Sequence, residues 1–215
     1  VLGEQGGTTI DQVRRDVLVA GTDVIYANGA GRTSVNTVLD AADLKTAIRF
    51  LQRQNAKFVK EMVKAGVGTG TVPIRPAFIG IVHPDTVQIL EGITGYKSVE
   101  EYGSQMDVIE DEVGAFRNIR FLQSTNAKVW LGGGATGGSN VIETATVADV
   151  YATLIIAANA YGVSPLSGQA MRNIVKALGS SGAADPLDQR ATSGWKATTT
   201  TKILNDAWMT RIEHA

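Results

Sequence analysis

The glycine run Gly132-Gly133-Gly134-Ala135-Thr136-Gly137 is the sharpest chemical motif in this chain. Its spacing satisfies a dinucleotide fingerprint, in which glycines let the backbone approach a pyrophosphate held at the N-terminus of the next helix. That chemistry also needs an amphipathic helix after the loop and an acid ~20 positions further on. Asn140 to Thr146 makes a poor helix, and no acid stands near Asn159. Read as a phosphate loop, Gly133 to Gly138 has the glycine spacing, but Ser139 stands where the phosphate-binding lysine belongs. In a chain with 24 glycines such spacing arises cheaply, so the run reads as a flexible surface loop.

Nucleophilic and metal chemistry are no better supplied. Gly162-Val163-Ser164-Pro165-Leu166 approaches a nucleophile elbow, but that motif binds its oxyanion with the N–H after the serine, and Pro165 has none. Ser164 therefore reads as a turn residue. His83 and His214 are the only imidazoles, too few for a multi-histidine metal site, and His83 beside Pro84 reads as a structural hydrogen-bonder. Glu110, Asp111 and Glu112, with Glu100, Glu101 and Asp107 nearby, have the oxygen chemistry for a hard cation. Adjacent carboxylates on an extended segment point to opposite faces, which favours a solvated or interface-facing acidic loop. No catalytic, cofactor-binding or metal-binding residue is assigned.

Composition narrows the class. At 215 residues the chain can bury a sizeable core as one large domain or two intimately connected ones. Lys+Arg at 20 against Asp+Glu at 21 gives a formal charge of -1, so there is no broad basic field for sequence-independent nucleic-acid binding. The absence of cysteine removes disulfides and thiol nucleophiles. No apolar stretch approaches the ~20 residues of a membrane-spanning helix, and no signal-peptide pattern is present, so a soluble protein is expected.

The elements follow from periodicity. Thr8 and Asp11 stand in a cap-like relation before Ile10, Val13, Val17, Ala20 and Val24, which predict a helix with an apolar stripe widened by Leu18 and Ile25 and ended by Gly29 to Thr33. A second helix is predicted from about Asp40 to Asn55, with Asp40 as its cap and Leu44, Ile48 and Leu51 on one face. Gly66 to Pro76 reads as a loop, Ala77 to Val82 as a strand, and Pro84 as the first turn of a short helix containing Val87, Ile89 and Leu90. Phe116 to Leu122 and Lys128 to Leu131 read as strands joined by a turn at Ser124 to Ala127. Tyr151 to Ala158 is an apolar run fit for a buried strand, broken by Gly162 and Pro165. From Trp195 to Lys202 the odd residues face one way and the even ones the other; after a turn at Asn205-Asp206, Trp208 to Glu213 is expected to pair back on that strand. Trp195 and Trp208 read as core or inter-strand anchors.

The segments DVYATLIIAANAYGVSPLSG, ADPLDQRATSGWKA and KILNDAWMTRIEHA resemble one family of tailed-bacteriophage major capsid proteins, which includes the N-four-like coat proteins. The resemblance extends to Glu4 to Ala27, Ile81 to Thr86 and Val113 to Val129. It implies an α+β subunit of the Hong Kong 97-type capsid fold, with a long spine helix, a peripheral domain and an axial domain. The corresponding divisions are residues 1–76 for the spine helix and peripheral elements, 77–178 for a mainly axial region with interleaved peripheral strands, and 179–215 for the closing C-terminal β-segments. In that family an N-terminal arm and an extended loop precede the long helix, so with Val1 in first place the chain is expected to lack them.

The function implied is self-assembly into an icosahedral shell of pentamers and hexamers around double-stranded phage DNA, without catalysis or cofactor. Partners implied are copies of the chain itself, scaffolding, portal and decoration proteins, and packaged DNA bound non-specifically, with no membrane. Assembly in the host cytoplasm and a place in the virion capsid go with it. In shells, acids such as Glu110, Asp111 and Glu112 can pair with a neighbour's arginines, for which Arg14, Arg15, Arg49 and Arg53 are candidates. Three other readings remain open: an encapsulin-like nanocompartment shell, a nucleotide-binding enzyme using Gly132 to Gly137, and a free-standing binding module.

Overall fold

The computed structural model describes residues 2–63, 69–103, 108–144, 146–165, 171–180, 187 and 189–215, and for residues 61–63 and 69–74 the backbone alone. Asp107, part of the Gly66 to Pro76 loop, and most of the 181–188 segment lie outside them. The helices are α1 (Leu2–Val19), α2 (Ala41–Arg53) and α3 (Val87–Gly92). The strands run β1 (Val24–Tyr26), β2 (Val59–Val63), β3 (Thr69–Val82), β4 (Tyr96–Ser98), β5 (Glu112–Phe116), β6 (Ile119–Gln123), β7 (Val129–Trp130), β8 (Glu143–Thr144), β9 (Val147–Ala148), β10 (Val150–Ile156), β11 (Tyr161–Pro165), β12 (Arg172–Lys176), β13 (Thr192–Lys196), β14 (Thr199–Ile203) and β15 (Met209–His214).

One mixed sheet organises the described residues in the order β1-β15-β10-β3-β6-β5-β4, with β2 added beside β3 and β7 beside β10. β15 lies parallel to β1 and antiparallel to β10, while β3 is antiparallel to β10 and parallel to β6. The sheet draws strands from all three sequence divisions, and β3 crosses the division at residues 76 and 77. Three two-stranded pairs, β8–β9, β11–β14 and β12–β13, lie outside it.

Both sheet faces are covered, which is why β10 and β15 are buried at every position. On one face Ile155 and Ile212 meet Leu44, Ala47, Ile48 and Leu51 of α2, with Phe78, Phe116, Ile119 and Phe121. On the other, Leu154, Ile156 and Met209 pack against Leu18 and Val19 of α1. The period of two along β10 therefore sorts one apolar run into two cores. α2 forms where its cap predicts: the Asp40 carboxylate accepts from Ala41 N at 2.6 Å, and Asp43 accepts from Asp40 N at 3.3 Å.

Several boundaries differ from the sequence expectation, each for a tertiary reason. α1 begins before the expected Thr8 cap and stops at Val19 instead of continuing to Val24. Its early turns include Gly3, Gly6 and Gly7, poor helix formers, but at Gly6 the helix packs close against Met171 and Trp195, which a Cβ there would have to displace. Val24 and Ile25 leave the helix to pair with Arg211 and Ile212, and Val13 of the expected stripe is exposed. Thr69 to Pro76, read as loop, belongs to β3 and pairs with β2. The expected 116–122 strand is a hairpin: Arg117, at φ 51, and Asn118 turn β5 into β6. Gly162 to Pro165 lie within β11, so Ser164 is a strand residue opposite Thr200, not a turn residue.

The Trp195 to Ile203 alternation holds residue by residue, odd positions half-buried and even ones exposed. The chain nevertheless changes partner at Ala197-Thr198, β13 pairing with β12 and β14 with β11. Against the sequence expectation, β15 does not pair back on this segment; it inserts between β1 and β10.

Candidate functional site

The glycine run offers no phosphate cradle. Gly134 N donates to the Ala148 carbonyl at 2.9 Å, Ala135 N to the Val35 carbonyl at 2.8 Å, and Gly132 N to Asp149 Oδ1 at 2.6 Å. These N–H groups are spent inside the chain, and a Cβ at Gly134 or Gly138 would collide with the Val35 or Asn36 carbonyl. The run is a loop pinned to the 35–36 segment, not a loose one, and the short strand β8 follows it instead of a helix. Ser164 is exposed on β11.

The two imidazoles are structural. His83 Nδ1 accepts from Asp85 N at 3.3 Å and caps the turn that begins α3's approach. His214 is wholly buried, with Nε2 3.0 Å from Thr153 Oγ1 and its ring stacked at 6.1 Å on Tyr151; burial pushes its pKa down to about 3, so it is neutral. Among the described residues no group of three or more His, Asp and Glu is placed to hold a metal ion.

The interface candidates fall into three environments. Arg14 and Arg15 on α1 line a cleft of about 310 Å³ that Glu110 and Asp111 also line. Arg15 is engaged elsewhere, donating to the Asn126 carbonyl at 2.8 Å and pairing with Asp16 at 2.8 Å. Arg49 and Arg53 stand exposed on the outer side of α2. Glu112 is enclosed: Arg120 grips both of its oxygens, Ile109 N donates to Oε2 at 3.0 Å, and the Tyr102 hydroxyl donates to Oε1 at 2.9 Å. Burial, together with that bond to Glu112, raises the Tyr102 pKa. Glu112 is thus committed within its own chain, whereas Glu110 and Asp111 remain exposed.

A second enclosed charge cluster escaped the sequence reading. Glu213 has a fully buried side chain and receives Arg32 Nε and Nη2, each at 2.8 Å, and Arg211 Nε at 2.7 Å. The Arg32 guanidinium lies 3.6 Å from the Trp130 ring centroid. The period of two put Arg211 and Glu213 on one face, but Arg32 and Trp130 arrive from distant segments that no local pattern connects.

The paired strands outside the sheet present the opposite surface. Every residue of β12 is exposed, including Ile174 and Val175, and Met171, Leu178, Val163 and Leu204 are also exposed apolar side chains on or beside these pairs. A two-stranded pair is marginal in water alone, so α1 braces this region through β13 and β14.

Taken together, the mixed sheet, the α1 and α2 layers and the appended strand pairs form an α+β phage capsid fold. The chain resembles the head structure of Helicobacter pylori bacteriophage KHP40, with 10% identity and TM-score 0.57 over 96% of this chain and 64% of that one. It is similarly close to the capsid structure of cyanophage P-SCSP1u, with 13% identity and TM-score 0.57 over 99% and 63%. A structure from Mycobacterium phage Che8 matches with 11% identity and TM-score 0.52 over 98% and 60%. The chain thus spans about three fifths of the length of these structures. No protein-family model and no curated protein matches it.

Proposed function

We propose that this chain is a major capsid subunit that assembles with copies of itself into an icosahedral shell of pentamers and hexamers around double-stranded phage DNA. The observation that carries the reading is a fold shared, along nearly the whole chain, with phage head and capsid structures. The exposed apolar strand pairs support it, because a subunit that functions by contact must keep apolar surface for its neighbours. Identical subunits joined by heterologous contacts close into rings when the rotation closes. The virion capsid is then its place, host cytoplasm the site of assembly, and scaffolding, portal and decoration proteins further partners.

In this reading the exposed Arg49, Arg53, Glu110 and Asp111 are available for contacts between subunits. The peripheral and axial roles of residues 1–76, 77–178 and 179–215 are part of the same proposal. Light scattering and electron microscopy of the intact gene product test it. Closed shells holding nuclease-resistant DNA are the expected result; shells enclosing a protein cargo instead would turn the reading toward a nanocompartment. A monomer at every concentration would overturn it.

A further inference from the structure

A second cavity, of about 480 Å³, opens on one face of the sheet beside its edge strand β4. The register places Lys97, Ala115 and Arg120 side by side across β4, β5 and β6, so they form its floor. Arg120 is held by Glu112, but Arg75, Lys97 and Arg117 are exposed around the opening. Among the described residues none of these three has a carboxylate at ion-pair distance. Glu101 also lines the cavity, leaving the charge of its lining side chains positive. Arg75 Nη2 donates to the Arg117 carbonyl at 3.1 Å, and the Arg117 backbone sits in the tight β5–β6 turn. The cavity therefore presents cationic groups of a kind that bind carboxylates well.

The same hairpin carries the complementary group at its other end. Glu110 and Asp111 form an exposed turn immediately before β5, with Asp111 at φ 62. That turn is fixed by Glu112 N donating to the Ile109 carbonyl at 3.1 Å, and by Gln123 N donating to the Asp111 carbonyl at 3.0 Å. Among the described residues neither acid is at ion-pair distance from a basic side chain, although Arg14 and Arg15 share their cleft. The five residues of β5 put about 17 Å of extended strand between the acidic turn and Arg117, beyond the screening length of about 8 Å at physiological salt. Within one copy the two ends do not neutralise each other.

We infer that the Glu110–Asp111 turn of one copy docks into the Arg75, Lys97 and Arg117 cavity of the next, a head-to-tail contact between identical chains. The inference rests on the shell-subunit reading and gives the acidic turn a different partner from Arg14, Arg15, Arg49 and Arg53. A concave cavity fits a protruding turn better than a duplex backbone, whose phosphates ask for a stripe of cations. The backbones of both turns are fixed by hydrogen bonds, so docking has mainly side chains to order.

Zero-length carbodiimide coupling of the assembled intact protein, made from a mixture of isotopically light and heavy copies, tests the contact directly. The expected product is an amide joining Lys97 of one copy to Glu110 or Asp111 of another, recognised as a mixed light–heavy peptide by mass spectrometry. In parallel, R117E and E110R should each weaken assembly and its salt dependence severalfold, and the double variant should restore both. Shells that form without the mixed cross-link, and whose salt dependence neither substitution alters, overturn the docking and leave the shell reading standing. Normal shells that lose DNA in R117E, again without cross-link, assign the cavity to nucleic acid and also overturn it. A wild-type chain that stays monomeric overturns both readings.

Discussion

β10 and β15 are buried at every position, whereas β12 is exposed at every position, although all three are short strands of good β-formers. The difference lies in what covers them. β10 and β15 sit between α1 and α2 with paired strands on both edges, so their side chains are enclosed within this chain's own interior. Among the described residues β12 pairs only with β13, and its apolar side chains are exposed. Strand propensity alone therefore says little about stability; burial decides it, and the uncovered region is free to serve contacts with other molecules.

The contrast can be broken most forcefully at Glu213. Glu213→Ala should cost on the order of 3–5 kcal/mol, because Arg211 is left buried and Arg32 loses its partner. Denaturant unfolding measures it, and a loss below about 1 kcal/mol would mean the charge cluster does not hold the sheet. Ile155→Ala, in the apolar core beneath α2, should cost about 2–5 kcal/mol by the same measurement.

His214 sharpens the contrast through pH. Its folded pKa of about 3 lies below the unfolded value of about 6.5, so the unfolded chain binds the extra proton first. The stability that neutral His214 contributes is full above pH 6.5 and lost as pH falls toward 3, by up to ~1.4 kcal/mol per unit. Urea midpoints across that range should show the slope, and His214→Gln should flatten it. The smallest effect belongs to the strand pair: Val175→Ser should change subunit stability by about 0.5 kcal/mol or less while weakening particle formation. A large loss of subunit stability there would erase the distinction between the two regions.

What the sequence revealed follows the same division. The apolar run at Tyr151 to Ala158, the Asp40 cap and the Trp195 to Lys202 alternation are local signals, and the corresponding structure lies where they indicate. The end of α1 was misread because Val24 and Ile25 fit both a helical stripe and a short strand, and only β15 decides between them. The partner of β15 was missed because a nearby strand was the simpler choice, while its neighbours β1 and β10 are far away along the chain. At the candidate contacts, Glu110 and Asp111 were legible as a charge run, but the gathering of Arg75, Lys97 and Arg117 depends on sheet register. Glu112 lies next to them in sequence and faces inward, a difference set by the Arg120 side chain across the hairpin.

The parallel pairing of β1 with β15 carries a kinetic consequence. Val24 and Arg211 are separated by most of the chain, so the loop-closure entropy for that pairing must be met before its contacts contribute. Sheet closure should therefore be a slow, late phase of refolding. Until it occurs the edges of β10 and β1 are unpaired templates, and a crowded population of nascent chains is exposed to strand exchange and aggregation. The timetable of folding, as well as the finished surface, then limits how many correctly folded chains are ready at once.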